Sequence, residues 1–231
     1  MNNVPTYEYA IVSLAAEQLD VTPHQVRELV HSGDLDAQQT ANGQYLVDAV
    51  SVAKYRQMRE GKGRPLDPQT AFAALWVLSG LDAPWLSYHQ MRRLRLRLES
   101  VSAKDLVWQA RRRGMARTFR VDASALESFS TQLMFSGVDD RVFSLMPNSG
   151  VVEGYATLNQ IDELSSRYAL LPDPYGNATV HVAPWLPDSS REKAPIALRA
   201  ADLSESLDAR EHSAGINKLE ELLNVYRGNN L

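Results

Sequence analysis

The chain has 231 residues, a 44% apolar content too high for disorder, and no cysteine; this excludes disulfides, thiolate metal sites and thiol catalysis, and fits a reducing, cytoplasmic setting. No run approaches about 18 consecutive apolar residues, and the opening MNNVPTYEYA lacks the basic start and apolar core of a signal peptide, so neither a membrane span nor export is expected. The net charge of −4 hides a dipolar layout: residues 1–50 carry 1 basic and 7 acidic side chains, residues 51–120 carry 15 and 5, and residues 121–231 carry 8 and 16.

In chain order, residues 11–19 read as a short helix capped by Ser13. Thr22 is a good N-cap for a second helix, with Pro23 at its first position and Gln25 where a capping-box partner belongs. Gly33 stops that helix as a residue tolerant of positive φ. Asn42-Gly43 inside residues 38–47 is a hairpin turn signal, and residues 48–58 read as helix. Residues 60–65 form a plausible linker.

The middle reads as helical. Asp67-Pro68 opens a helix that Gly80 closes. Ser87 with Gln90, and Ser102 with Asp105, cap two more, the second ending at Gly114. Residues 118–121 read as a short strand and 123–133 as a helix. Farther on, residues 151–156 and 178–183 read as strands, residues 184–195 as a polar loop, and residues 195–202 as a possible third strand. A helix capped by Thr157 and Gln160 lies between the first two. Asp208 and Glu211 cap a final helix with Ile216, Leu219, Leu222, Leu223 and Tyr226 on one face. The expected fold class is mainly α with a smaller α/β C-terminal part. It divides into a winged helix-turn-helix over 1–60, a basic helical domain over 61–134 (a second winged fold is one option), and an acidic α/β partner-binding domain over 135–231.

Function is expected in the first 55 residues. Leu14, Ala15, Ala16 and Leu19 give the first helix a small-residue inner face that a second helix can cross closely. Val26, Leu29 and Val30 face inward on that second helix, which leaves Gln25, Arg27, Glu28 and His31 for solvent or a major groove. His24 sits near the helix N-terminus, from which base contacts usually come. Gln39, Thr40 and Asn42 lie on the hairpin that follows. In the middle, Arg92, Arg93 and Arg97 fall on the outer face of one helix. Arg111, Arg112 and Arg113 close the next, and Arg117 follows on a strand. These arginines are candidates for DNA phosphate or for an acidic partner, arginine being suited to both. No nucleophile elbow, phosphate loop or dinucleotide motif is present. The five histidines form no metal-ligand spacing, so no catalytic residue, metal or cofactor is expected. Trp76, Trp85, Trp108 and Trp185 read as core or interface anchors.

The segment AAEQLDVTPHQVRELVHSGDL resembles the excisionase and MerR-type winged helix-turn-helix, whose pattern AA-x-x-L-x-V-T-x-x-x-V-x-x-L-V-x-x-G-x-L precedes a short wing. Over most of its length the chain is similar to actinobacterial antitoxins of the AbiEi-like group. The residues that carry this are Arg64-Pro65-Leu66, residues 71–79 leading into Trp85-Leu86-Ser87, the Arg-rich run 92–97, residues 117–126, Ala201-Asp202-Leu203 and Asp208-Ala209-Arg210-Glu211. The resemblance implies a transcriptional autorepressor that binds operator DNA, a cognate nucleotidyltransferase toxin with a basic surface as partner, and no enzymatic activity. Two other readings stay open: an interaction protein with a degenerate helix-turn-helix, and a phage-like excisionase or architectural DNA-binding factor.

Overall fold

A computed structural model describes residues 9–137, 140–143, 145, 150–173, 175–186 and 193–229. The chain divides at Glu60/Gly61 into two compact units, and β-strands occur in both.

In the first unit, strand β1 (Tyr9–Ile11) runs directly into helix α1 (Val12–Leu19). No side chain caps α1; its N-cap is Ile11 rather than the expected Ser13, because pairing with a later strand holds residues 9–11 extended. Asp20 takes a left-handed conformation (φ 51°) and its N–H closes the helix on Ala16 and Glu17. Helix α2 (Pro23–His31) has the expected capping box: the Thr22 hydroxyl accepts from the Gln25 N–H, and the Gln25 side chain accepts from the Thr22 N–H. Strands β2 (Ala37–Gln39) and β3 (Tyr45–Asp48) form a hairpin whose turn uses Gly43 at φ +76°. With β1 they make a three-stranded antiparallel sheet in the order β1-β3-β2. Asp48 caps helix α3 (Ala49–Met58) through the Ser51 N–H at 2.6 Å. The core of the unit is Ala15, Ala16, Leu19, Val26, Leu35, Val47 and Val52, all nearly inaccessible to solvent. The two alanines let α2 pack closely on α1.

The second unit starts with helices α4 (Pro68–Leu78), α5 (Tyr88–Ser100) and α6 (Ala103–Ala110). Strand β4 (Met115–Arg120), helix α7 (Leu126–Ser130), strand β5 (Met134–Phe135) and the short helix α8 (Asp140–Phe143) follow. Then come β6 (Val152–Ala156), α9 (Leu158–Tyr168), β7 (Leu171–Pro172), β8 (Ala178–Val182), α10 (Ile196–Ser204) and α11 (Ala209–Asn229). The strands form one five-stranded sheet, ordered β5-β6-β8-β4-β7, in which only β6 and β8 run parallel. Helices α7 and α9 cover one face, where Phe119, Phe129, Val152, Ile161, Leu164 and Val180 are buried together. A second cluster gathers Trp76, Trp85, Trp185 and Tyr155 around Phe72, with ring centroids 5.3–6.0 Å from Phe72, so three of the four tryptophans are anchors of this unit.

The fold is therefore mixed α/β, with two sheets, rather than mainly α with a separate α/β end. The expected boundary at 134/135 falls inside the second unit, because five residues of β4, from Met115↔Val182 to Phe119↔Ala178, pair with β8 across it. That pairing also rules out the option of a second winged fold. α6 buries Leu106, Val107 and Ala110, and β4 lies between β8 and β7 instead of forming a free wing. The third C-terminal strand expected over 195–202 is helix α10. Its two charged residues, Arg199 and Asp202, are three apart as on one face of a helix, but that face is turned into the fold and both are buried. α11 lies along α10, and Gly215 makes the close approach: a Cβ there would meet the Ala200 carbonyl and the Ser204 N–H at 2.5 Å. No helix among the described residues is long and apolar enough to cross a membrane.

Candidate nucleic-acid interface

The first unit presents one face of α2 beside the β2–β3 hairpin. Val26 is fully buried on the inner side, while His24, Gln25, Arg27 and His31 are exposed. These four are not equivalent. His24 and Arg27 make no hydrogen bond or ion pair among the described residues. The Gln25 carboxamide oxygen is committed to the Thr22 N–H at 2.9 Å and the Thr22 hydroxyl at 3.2 Å, which leaves its N–H₂ for an outside acceptor. His31 meets the hairpin instead: its Nε2 lies 3.4 Å from the Tyr45 hydroxyl, with the rings edge to face at 5.8 Å. On the hairpin, Thr40 accepts from the Gln44 N–H at 3.1 Å and Gln39 donates to the Gly43 carbonyl at 3.3 Å, so both build the turn. Asn42 is exposed at its tip.

The arginines of the second unit separate just as clearly. Arg92 and Arg93 are exposed on α5. Arg97 is exposed too and donates to the Gln109 side chain at 3.1 Å. Arg111 stacks on Trp108 at 3.7 Å and donates to its carbonyl at 2.8 Å. Arg112 is half-buried, and Arg117 is exposed beside the Met115 sulfur.

Arg113 departs from expectation altogether. It is 1% exposed and cannot reach DNA. Its guanidinium donates through Nε and Nη2 to Asp202, through Nε to the Tyr155 hydroxyl at 3.2 Å, and through Nη1 to Glu205. Tyr155 also donates to Asp202 at 2.8 Å, and the Ser136 hydroxyl donates to the other Asp202 oxygen. His181 lies 2.7 Å from Glu153 and 3.8 Å from Asp202, and its ring stacks on Tyr155 at 4.8 Å. Sequence reasoning missed this network, although His181 breaks an apolar alternation (Val-His-Val) on a strand. Its members come from β6, β8, α10 and the segments after α6, β5 and α10, so no local spacing joins them.

Glu153, His181 and Asp202 offer ligand atoms within 4.8 Å of one another, a grouping the histidine spacing gave no sign of. The chemistry of the set opposes a metal. One Asp202 oxygen already accepts three donors, and the Arg113 cation lies against it. Ion pairing explains the cluster. Burial alone would lower the His181 pKa, but the Asp202 charge, the Glu153 hydrogen bond and the Glu153 charge outweigh it and hold the imidazole above its ordinary value. Burial would raise Asp202, and His181, Arg113 and the Ser136 hydrogen bond outweigh that to hold it below.

These directions fix a pH dependence. Stabilisation from protonated His181 is fully present below the unfolded value, about 6.5, and is lost as pH rises through the raised folded value. The Asp202 contribution is present above about 3.9 and is lost as pH falls through its lowered folded value. The thermal midpoint is expected to decline as the buffer goes from about pH 6 to about pH 9, and His181→Gln is expected to flatten the decline. Identical slopes for the two proteins in a calorimetric series would remove His181 from the cause.

Comparison of the chain with protein-family models, with curated proteins and with solved structures finds no match.

Proposed function

We propose that the chain is a sequence-specific DNA-binding repressor whose first unit is a winged helix-turn-helix, with α2 as the reading helix and the β2–β3 hairpin as the wing. The observation that carries this is the state of α2. Its inner face is locked by Val26 and its N-terminus by the Thr22–Gln25 box, while His24 and Arg27 project with no partner among the described residues. A rigid helix with free donors at its N-terminal end suits the major groove. His31 on the helix and Tyr45 on the hairpin meet at 3.4 Å, so the two proposed reading elements touch. A gel-shift assay tests the reading: a duplex from the chain's own upstream region should be retarded at concentrations that leave a shuffled duplex free.

The antitoxin role rests on the sequence resemblance. The C-terminal excess of acidic side chains favours a basic partner, although Glu153, Asp202 and Glu205 are spent inside the fold. Asp162 and Glu163 on α9 and Glu221 on α11 remain exposed. The apolar stripe of α11 is not available, since Leu219 and Leu223 are fully buried. Co-expression of the full chain with a nucleotidyltransferase encoded beside it should restore growth. Failure to restore growth would remove the antitoxin role and leave the DNA-binding role standing.

A further inference from the structure

We infer that the outer face of α5 is a second DNA contact, one that grips the phosphate backbone without reading sequence; this rests on the repressor reading of the first unit. The folded chain sorts its basic residues. Arg113 and Arg120 are paired with carboxylates, Arg227 donates to the Val101 carbonyl and lies 3.6 Å from Glu220, and Arg111 stacks on Trp108. Arg92 and Arg93 have no hydrogen bond or ion pair among the described residues.

They stand on a 13-residue helix whose inner side is set by Leu94 and Leu98, both buried. Helical spacing of 3.6 residues per turn puts His89, Arg92, Arg93 and Leu96 on the opposite side, with Tyr88 and Arg97 at its edges. Tyr88 is 79% exposed and Leu96 56%. Five of these six side chains can donate hydrogen bonds to a phosphate oxygen, and arginine and tyrosine are regular backbone donors in protein–DNA complexes. The helix carries four arginines and one carboxylate, Glu99, in its last turn.

Charge complementarity commits the face to a polyanion, and the first unit supplies the reason for a duplex. That unit is acidic, with 4 basic and 8 acidic side chains over residues 1–60, whereas backbone attraction is the sequence-independent part of DNA affinity. The α5 arginines supply the attraction that the reading unit lacks.

The test uses the full chain, its Arg92→Gln/Arg93→Gln variant and an Arg120→Gln control, titrated across a salt series against an upstream-region duplex and a shuffled duplex. Every phosphate left without its arginine takes up to about 0.9 from the slope of log K against log salt. The double variant should therefore flatten the slope by up to about two units on both duplexes, with their affinity ratio unchanged. Arg120→Gln should leave the slope alone, because Asp173 already neutralises Arg120. An unchanged slope in the double variant, with the duplex preference of the parent chain intact, overturns the inference and spares the first unit's role. Loss of preference with an unchanged slope overturns it too, by placing these arginines in sequence reading. Equal binding of the parent chain to poly-glutamate, at matched charge, assigns the face to an acidic protein. Absence of binding to either duplex at low salt removes both the inference and the repressor reading.

Discussion

Arg113→Gln is expected to destabilise the second unit by about 3–5 kcal/mol, the usual loss when one partner of a buried ion pair is removed. The side chain is 1% exposed and Asp202 7%. Without the guanidinium, Asp202 and Glu205 would retain negative charge in a site with little solvent, and glutamine offers no compensating charge. Net domain stability is only about 5–15 kcal/mol, so a large share of it depends on this side chain. Asp202→Asn should cost a similar amount, since it removes the buried carboxylate that both Arg113 and His181 face and leaves Arg113 with Glu205 alone. Arg111→Gln, two residues away but stacked on Trp108 near the surface, is expected to lose about 1 kcal/mol or less. Urea unfolding of the three variants separates Arg111→Gln from the other two. A loss below about 1 kcal/mol for Arg113→Gln would mean that the network is not holding the sheet to α10.

The second large effect concerns DNA. Arg27→Ala combined with Gln25→Glu is expected to reduce operator affinity by about 1–3 kcal/mol for each base edge left without its hydrogen-bond donor. The choice of glutamate is dictated by the cap. Gln25→Ala would remove the Gln25 half of the box with Thr22 and cost helix stability of about 0.5–2 kcal/mol. Glutamate keeps an oxygen for the Thr22 N–H and deletes the amide donor; the negative charge it adds weakens all duplexes alike, so the readout is the preference between duplexes. Thermal stability should therefore stay near that of the parent chain while the preference for operator over shuffled duplex collapses. Retained preference in a folded variant would show that α2 is not the reading helix.

Local chemistry was readable wherever the signal is itself local. Thr22-Pro23 with Gln25, Ser87 with Gln90, and Thr157 with Gln160 are three-residue devices, and each forms the expected box. Asn42-Gly43 likewise places the hairpin. Long-range pairing was not readable. Residues 118–121 already read as strand beside the contiguous helices α4, α5 and α6, but nothing local shows that β4 pairs with β8. α10 carries Arg199 and Asp202 at helical spacing, but nothing local shows that this polar pair is buried against other parts of the second unit. The same limit applies to the site. Arg111, Arg112 and Arg113 are identical in sequence, and only the fold puts one against Trp108, one half-buried and one inside an ion-pair network. Gln25 was readable both as cap and as candidate reader; the geometry adds that its oxygen serves the cap, which leaves its N–H₂ for an outside acceptor.

Amide chemical-shift mapping of the full chain with a duplex from its upstream region tests the central claim most directly. If α2 and its wing read DNA, the largest perturbations fall on residues 22–32 and 38–45, with a weaker, salt-sensitive set on 88–97. Perturbations confined to residues 61–231, or a response indistinguishable from that given by a shuffled duplex, would contradict it.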